Sequence, residues 1–134
     1  MINKILALIV GFFATCVVML SIEIFGHTLY PPPANIMEPA IMQAFVDQMP
    51  TWVILYLLSS AFFGSFAGGL VTSIIAKEKK RILVLILSTI IGILGVINLA
   101  MFKHPVWFIF ASVCCYFSAC YLGYLLSFKL KKND

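Results

Sequence analysis

The sequence predicts an all-α protein: a four-helix transmembrane bundle with a short amphipathic helix in its first, outer loop. Three observations carry this. Apolar stretches fill residues 5–25, 52–76, 82–102 and 105–128, each supplying the about 20 helical residues needed to cross a hydrocarbon core. The 134 residues are 63% hydrophobic and only 10% charged, where a soluble domain carries about 25% charged residues. In water so apolar a chain could not cover its surface with polar groups; in lipid an apolar exterior is the solvated one. Third, the cations are sorted. Lys4, Lys77, Lys79, Lys80, Arg81, Lys129, Lys131 and Lys132 fall on one side of the spans, and Lys103 alone on the other.

By the positive-inside rule this split places both termini and the 77–81 connection in the cytoplasm. An even number of spans agrees. The basic loop and tail attract anionic lipid head groups at roughly 1 kcal/mol per cation; three lysines without interleaved aromatics do not make a nucleic-acid site. Four spans and their connections consume the chain, so residues 1–134 form one integral membrane domain, and any chemistry sits in the bundle or on its rim.

The first span follows the flank Asn3-Lys4. Its apolar run exceeds the 7–15 residues of a signal-peptide core and no A-x-A site follows. Phe13-Ala14-Thr15-Cys16 departs from a lipoprotein cleavage box at Thr15. The span is therefore expected to be retained, ending near Gly26, with Pro31-Pro32-Pro33 forming a stiff extended spacer. In the outer loop, residues 26–51, Asn35 and Glu38 fit a capping box. Ile41, Met42, Phe45 and Met49 then recur at helical spacing, predicting a surface helix over 38–49. Pro50 ends it, and Thr51 can cap the second span.

The second span is the packing element. Ser60, Gly64, Gly68 and Thr72 recur every four residues, and Ala61, Ser65, Gly69 and Ser73 do so one position over. Together they predict a broad flat face where another backbone approaches closely. Span four offers Ala111, Cys115, Ala119, Gly123 and Ser127; span three offers Ser88, Gly92 and Gly95. Tight packing is the plain reading of these residues, a sliding interface the functional one. The connections 77–81 and 103–104 force antiparallel neighbours, with Pro105 at the first helical position of span four. Tyr30, Trp52 and Trp107 suit an outer aromatic belt. Cys16, Cys114, Cys115 and Cys120 all lie within spans and form no Cys-x-x-Cys, so each reads as a small packing residue, although a Cys16–Cys115 contact is conceivable.

Polar groups inside a membrane are the main pointers to function. Glu23 lies eighteen residues beyond Ile5, about 27 Å across at 1.5 Å per residue, close to the outer edge of an about 30 Å core. His27 sits one turn above it, and Asn98, Tyr56 and His104 reach a similar depth. These five are the candidate ligand- or proton-binding residues. In a structural reading, Glu23 accepts a hydrogen bond from His27 or Asn98 and reaches for the interface. In a coupled reading, Glu23 takes up and releases a proton through His27 or His104. In a metal reading, Glu23, His27 and His104 hold zinc, although only Glu23 and His27 have helical ligand spacing. On span one, Ala7, Gly11, Ala14 and Ser21 line one face, while Cys16, Glu23 and His27 fall almost opposite. Both faces should avoid lipid, so either Glu23 escapes to the interface, or one face meets the bundle and the other a second copy; a homo-oligomer or a partner membrane protein is the expected partner.

Gly26-His27 with Tyr30-Pro31-Pro32-Pro33, together with His104-Pro105 and Trp107-Phe108, resembles a set of small bacterial four-span proteins of unassigned function. The resemblance implies a bacterial plasma membrane and no known activity. The architecture is also similar to that of small multidrug transporters, which embed a Glu in span one, but Glu23 lies near the outer end rather than mid-span. Small fluoride channels, also four-span, assemble in both orientations, against which the lysine split argues. The expected function is a non-enzymatic packing, accessory or scaffold module without cofactor. The alternative is a small proton- or ligand-coupled transporter or channel using Glu23, and an enzyme is the third reading.

Overall fold

The computed structural model describes residues 2–76, 80–101 and 103–132, without the side chains of 131 and 132. These residues form five helices: α1 (Ile2–Leu29), α2 (Pro39–Asp47), α3 (Thr51–Ile75), α4 (Lys80–Ala100) and α5 (Val106–Lys132). α1, α3, α4 and α5 are long and apolar enough to cross a membrane, so the chain is built as an all-helical membrane protein. Lys77 and Lys79, the side chains of Lys131 and Lys132, and Phe102, the expected end of span three, lie outside the described residues.

Two apolar clusters fix the up-and-down topology. At one end Ala7 of α1, Ala76 just past α3 and Leu83 of α4 pack together. At the other, Ile54 of α3, Leu99 of α4 and Phe108 of α5 do the same. The first end carries Ile2, Lys80 and the last turn of α5 and is called the basic end; there Lys80 Nζ sits 5.5 Å from the centre of the Phe128 ring. The second is the α2 end. Between them, Ala61, Val84, Leu87, Ile91, Tyr116 and Cys120 form the central core.

Prolines set the helix boundaries more than caps do. α1 does not stop at Gly26: the Tyr30 amide still donates to the Gly26 carbonyl at 2.8 Å, and the helix ends only where Pro31 brings no amide hydrogen. The Asn35–Glu38 capping box does not form. Pro39 holds Glu38 extended, at φ −79° and ψ 124°, because the α region is disfavoured for the residue before a proline. Glu38 thus becomes the residue before the helix, without a side-chain cap, and its amide closes a turn onto the Asn35 carbonyl at 3.0 Å. Likewise Pro50, not Thr51, occupies the capping position of α3, its carbonyl accepting from the Val53 and Ile54 amides. Pro105, immediately before α5, does the same for the Phe108 and Ile109 amides.

α3 is the axis of the bundle, packing extensively on both α1 and α5; α4 leans on α5, less on α3 and least on α1. The two small-residue lines do not build one broad face. Each serves a different helix. Gly64 and Gly68 approach Thr15 and Met19 of α1, and Thr72 donates to the Ala7 carbonyl at 3.2 Å. One position over, a Cβ on Gly69 would overlap the backbone of Cys120, and one on Gly123 of α5 would overlap the backbone of Phe66. Backbones in such contact gain dispersion that bulky residues would prevent. The Cys120 thiol closes this seam by donating to the Ser65 carbonyl at 3.1 Å. On α5 the buried line runs through Ser112, Tyr116, Ala119, Cys120, Gly123 and Ser127, so Ala111 and Cys115 stand at its margin rather than on it. All four cysteines are free thiols.

Candidate functional site

The bundle-facing sector of α1 is the starting point. Ala7, Gly11 and Thr15 are its buried residues, and Ser21 is exposed, donating to its own Val17 carbonyl at 2.7 Å. The sector is therefore centred on Gly11 and reaches to Thr15, rather than following the Ala14–Ser21 line. Eight residues on, Glu23 falls about 80° round the helix from Thr15 at 100° per residue. One side of α1 thus meets α3, while its flank brings the half-buried Cys16 and Glu23 to the inside of the molecule and leaves His27 exposed at the rim. Cys16 and Glu23 find cover within the bundle itself.

What that flank meets is space. In the α2-end half of the bundle lies a cavity of about 510 Å³, with walls from all five helices. Phe12, Thr15, Cys16, Met19, Leu20, Glu23 and His27 come from α1, and Leu57, Ser60 and Ala61 from α3. Ile91, Leu94, Gly95, Asn98 and Leu99 come from α4; Phe108, Ser112 and Tyr116 from α5, with His104 just before it. Met42, Phe45 and Val46 of α2 and the flanking Ile36 and Met49 form a roof. The volume lies in the about 300–1,000 Å³ range of small-molecule sites, and the lining has their usual character: largely apolar, with a few convergent polar groups.

The roof is held by side chains. α2 stands off from the long helices, so that close backbone approaches between them are absent among the described residues. Gln43 Oε1 accepts from the Lys103 amide at 2.9 Å, and Gln43 Nε2 donates to Asp47 Oδ1 at 2.8 Å. On the other flank Tyr30 packs on Phe45 and Trp52, with ring centres 5.1 and 6.2 Å apart.

Of the five expected site residues, four line the cavity: Glu23, His27, Asn98 and His104. Tyr56 is engaged elsewhere. Its hydroxyl donates to the Ile22 carbonyl at 2.7 Å, and its ring lies where a side chain on Gly26 would be; it fastens α1 to α3. Glu23 takes no hydrogen bond from His27 or Asn98. Its Oε1 stands 3.4 Å from Ser60 Oγ, whose hydroxyl is also 2.8 Å from the Leu57 carbonyl. The serine has one proton and the carbonyl is much the closer acceptor, so most of the carboxyl's acceptor capacity remains turned to the cavity. His104 Nδ1 lies 3.2 Å from the Leu99 carbonyl, and its ring tilts against Phe108. Held so, it does not complete a ligand set with Glu23 and His27: among the described residues there is no group of three His, Cys, Asp or Glu side chains that could hold a metal ion.

Sequence reasoning missed Ser60, Ser112 and Tyr116 as polar lining. Ser60 was legible only as a member of a small-residue line, and nothing in the spacing marks a serine that faces a void from one that faces a backbone. Comparison with protein-family models, with curated proteins and with solved structures finds no match to this chain.

Proposed function

We propose that this membrane protein is a ligand-binding module, in which a small and mostly apolar molecule occupies the cavity and is anchored by its polar end to Glu23. The observation that carries this is the coincidence of space with polarity. Polar side chains that served packing alone would interlock, whereas Glu23 and His104 line a cavity of about 510 Å³, with the exposed His27 and Asn98 at its rim. A ligand coupled to protonation of Glu23 is the transporter-like form of the same reading. The eight-to-one division of cations supports a plasma-membrane protein with both termini in the cytoplasm and the cavity in the outer half of the bilayer. A reporter fused to the carboxyl terminus is then active only when cytoplasmic.

Thermal unfolding in detergent with hexylamine as the probe tests the binding. A ligand that binds only the folded state stabilises it by RT ln(1 + [L]/Kd), so the wild type gains several degrees at saturating amine. Glu23→Gln loses that gain while keeping its melting temperature without amine. Glu38→Gln, an exposed carboxyl just before α2, keeps it. If hexylamine stabilises wild type and Glu23→Gln alike, or neither, the protein returns to the alternative reading, a packing or accessory partner for another membrane protein.

A further inference from the structure

Resting on that reading of the cavity, we propose that its occupant is a single apolar chain of an amphiphile drawn sideways from the bilayer, entering between α1 and α4 with its hydrogen-bond-donating head at Glu23. Three observations meet. The first is the roof. Met42, Phe45 and Val46 of α2, flanked by Met49, cover the cavity from the aqueous side, and Val46 is 7% exposed. The Gln43–Lys103 bond and the Tyr30–Phe45 contact hold this cover in place. A water-borne ligand would have to lift an apolar helix tied at both flanks or pass between the exposed His27 and Asn98 at its edge.

The second is the side wall. α1 and α4 make the least contact of any packed pair in the bundle. They share clusters at the basic end, around Ala7 and Leu83, and in the central core, where Phe12 and Met19 pack on the cluster that holds Ile91, but no cluster beyond Met19 joins them among the described residues. Towards the α2 end Leu20 of α1 and Leu94 of α4 both line the cavity, yet they are 55% and 49% exposed. Asn98, one turn beyond Leu94, is likewise both lining and exposed. Exposed lining residues on two neighbouring helices mark a lip, and His27 of α1 is a fourth. The cavity therefore opens between α1 and α4, with apolar lips at Leu20 and Leu94 and the polar His27 and Asn98 nearer the α2 end.

The third is length. From Glu23 down to Phe12 is eleven residues, about 16 Å at 1.5 Å per residue. That is about half of an about 30 Å hydrocarbon core: the depth of one leaflet. The polar residues stand at the α2 end, where head groups lie, and Met19, Phe12 and Ile91 line the way in. Moving a chain from lipid into an apolar cavity gains little from the hydrophobic effect, since both surroundings are oil. Retention then depends on the head, and Glu23 offers acceptor oxygens that the bilayer interior lacks.

The test uses full-length protein in phosphatidylcholine vesicles. One probe is hexadecylamine with a photoreactive diazirine at mid-chain; the other is hexylamine bearing the same group, supplied from water. Labelled residues are read by peptide mass spectrometry. The hexadecyl probe is expected to label Met19 or Ile91, and labelling falls about ten-fold, as a loss of roughly 1.4 kcal/mol in affinity reads, when the lips are blocked by Leu20→Trp with Leu94→Trp. Ile97→Trp, on the lipid side at a residue 57% exposed, leaves it unchanged. Leu20→Phe with Leu94→Phe replaces the tryptophan pair if that pair's melting temperature shows a damaged fold. Hexylamine labelling the walls while hexadecylamine does not, or labelling indifferent to blocked lips, overturns the sideways route and leaves the cavity a ligand site fed from water. Walls labelled by neither probe overturn both readings.

Discussion

Two halves of one helix, α3, do opposite things. Over Gly64–Ser73 it lies against α1 on one side and α5 on the other so closely that backbone meets backbone. Over Leu57–Ala61, two turns nearer the α2 end, the same helix walls a cavity. The chain uses small residues in both places. What differs is what stands opposite: Gly11, Thr15 and the Cys120 backbone in the first case, and α1 and α4, the least closely packed of the touching pairs of long helices, in the second. A small residue in a bilayer therefore does not declare whether it brings helices together or leaves room between them; its partner helix decides.

The largest effect expected from this contrast is at the tight half. Gly69→Ala puts a methyl into the Cys120 backbone, which no rotamer change can relieve, and should destabilise the protein by about 3 kcal/mol. At Gly92 the same methyl meets only the Phe117 ring, at 3.5 Å, so Gly92→Ala should stay within about 1 kcal/mol of wild type. Reversible unfolding in mixed detergent compares the two; equal costs would mean that α3 and α5 are not in backbone contact. At the open half, Gln43→Ala removes the 2.9 Å bond to the Lys103 amide and should release the roof by about 1 kcal/mol. Hydrogen exchange at Lys103 and along α2 would then quicken about five-fold while α3 stays protected. Quickening spread evenly over α3 would mean that roof and bundle open together. The smallest effect is at Ser65, whose hydroxyl is buried without a hydrogen-bond partner. Ser65→Ala removes an unsatisfied donor, so it should leave stability unchanged or raise it by up to about 1 kcal/mol; a loss of more than that would mean the hydroxyl has found an acceptor.

The spans, the antiparallel order and the small-residue lines are legible in the chain because they are periodic, and periodicity is what a helix imposes. The α2 helix was legible from Ile41, Met42, Phe45 and Met49, although its start was not: Asn35 and Glu38 have the right spacing for a capping box, and Pro39 overrules them through the geometry of Glu38. Glu23, His27, Asn98 and His104 could be placed at one depth by counting residues. Depth says nothing of azimuth, so the turn of Tyr56 onto the Ile22 carbonyl was hidden. So was the one angular sector on α1 that takes both Thr15 and Glu23 inward. The cavity itself was out of reach, since a void is a relation among five helices and has no residues of its own.

The central place of α3 has a consequence for assembly. With one flank occupied by α1 and another by α5, α3 keeps only a narrow exposed strip that includes Trp52, Leu55, Phe63 and Ile74. Any neighbour recruited within the bilayer would have to grip the outer helices, where α1 alone presents Ile9, Phe13, Val17 and Ile24 outward. Such a neighbour touching α1 would bear on one side of the α1–α4 gap rather than on the keel of the molecule, and could hold that gap open or shut without disturbing the rest.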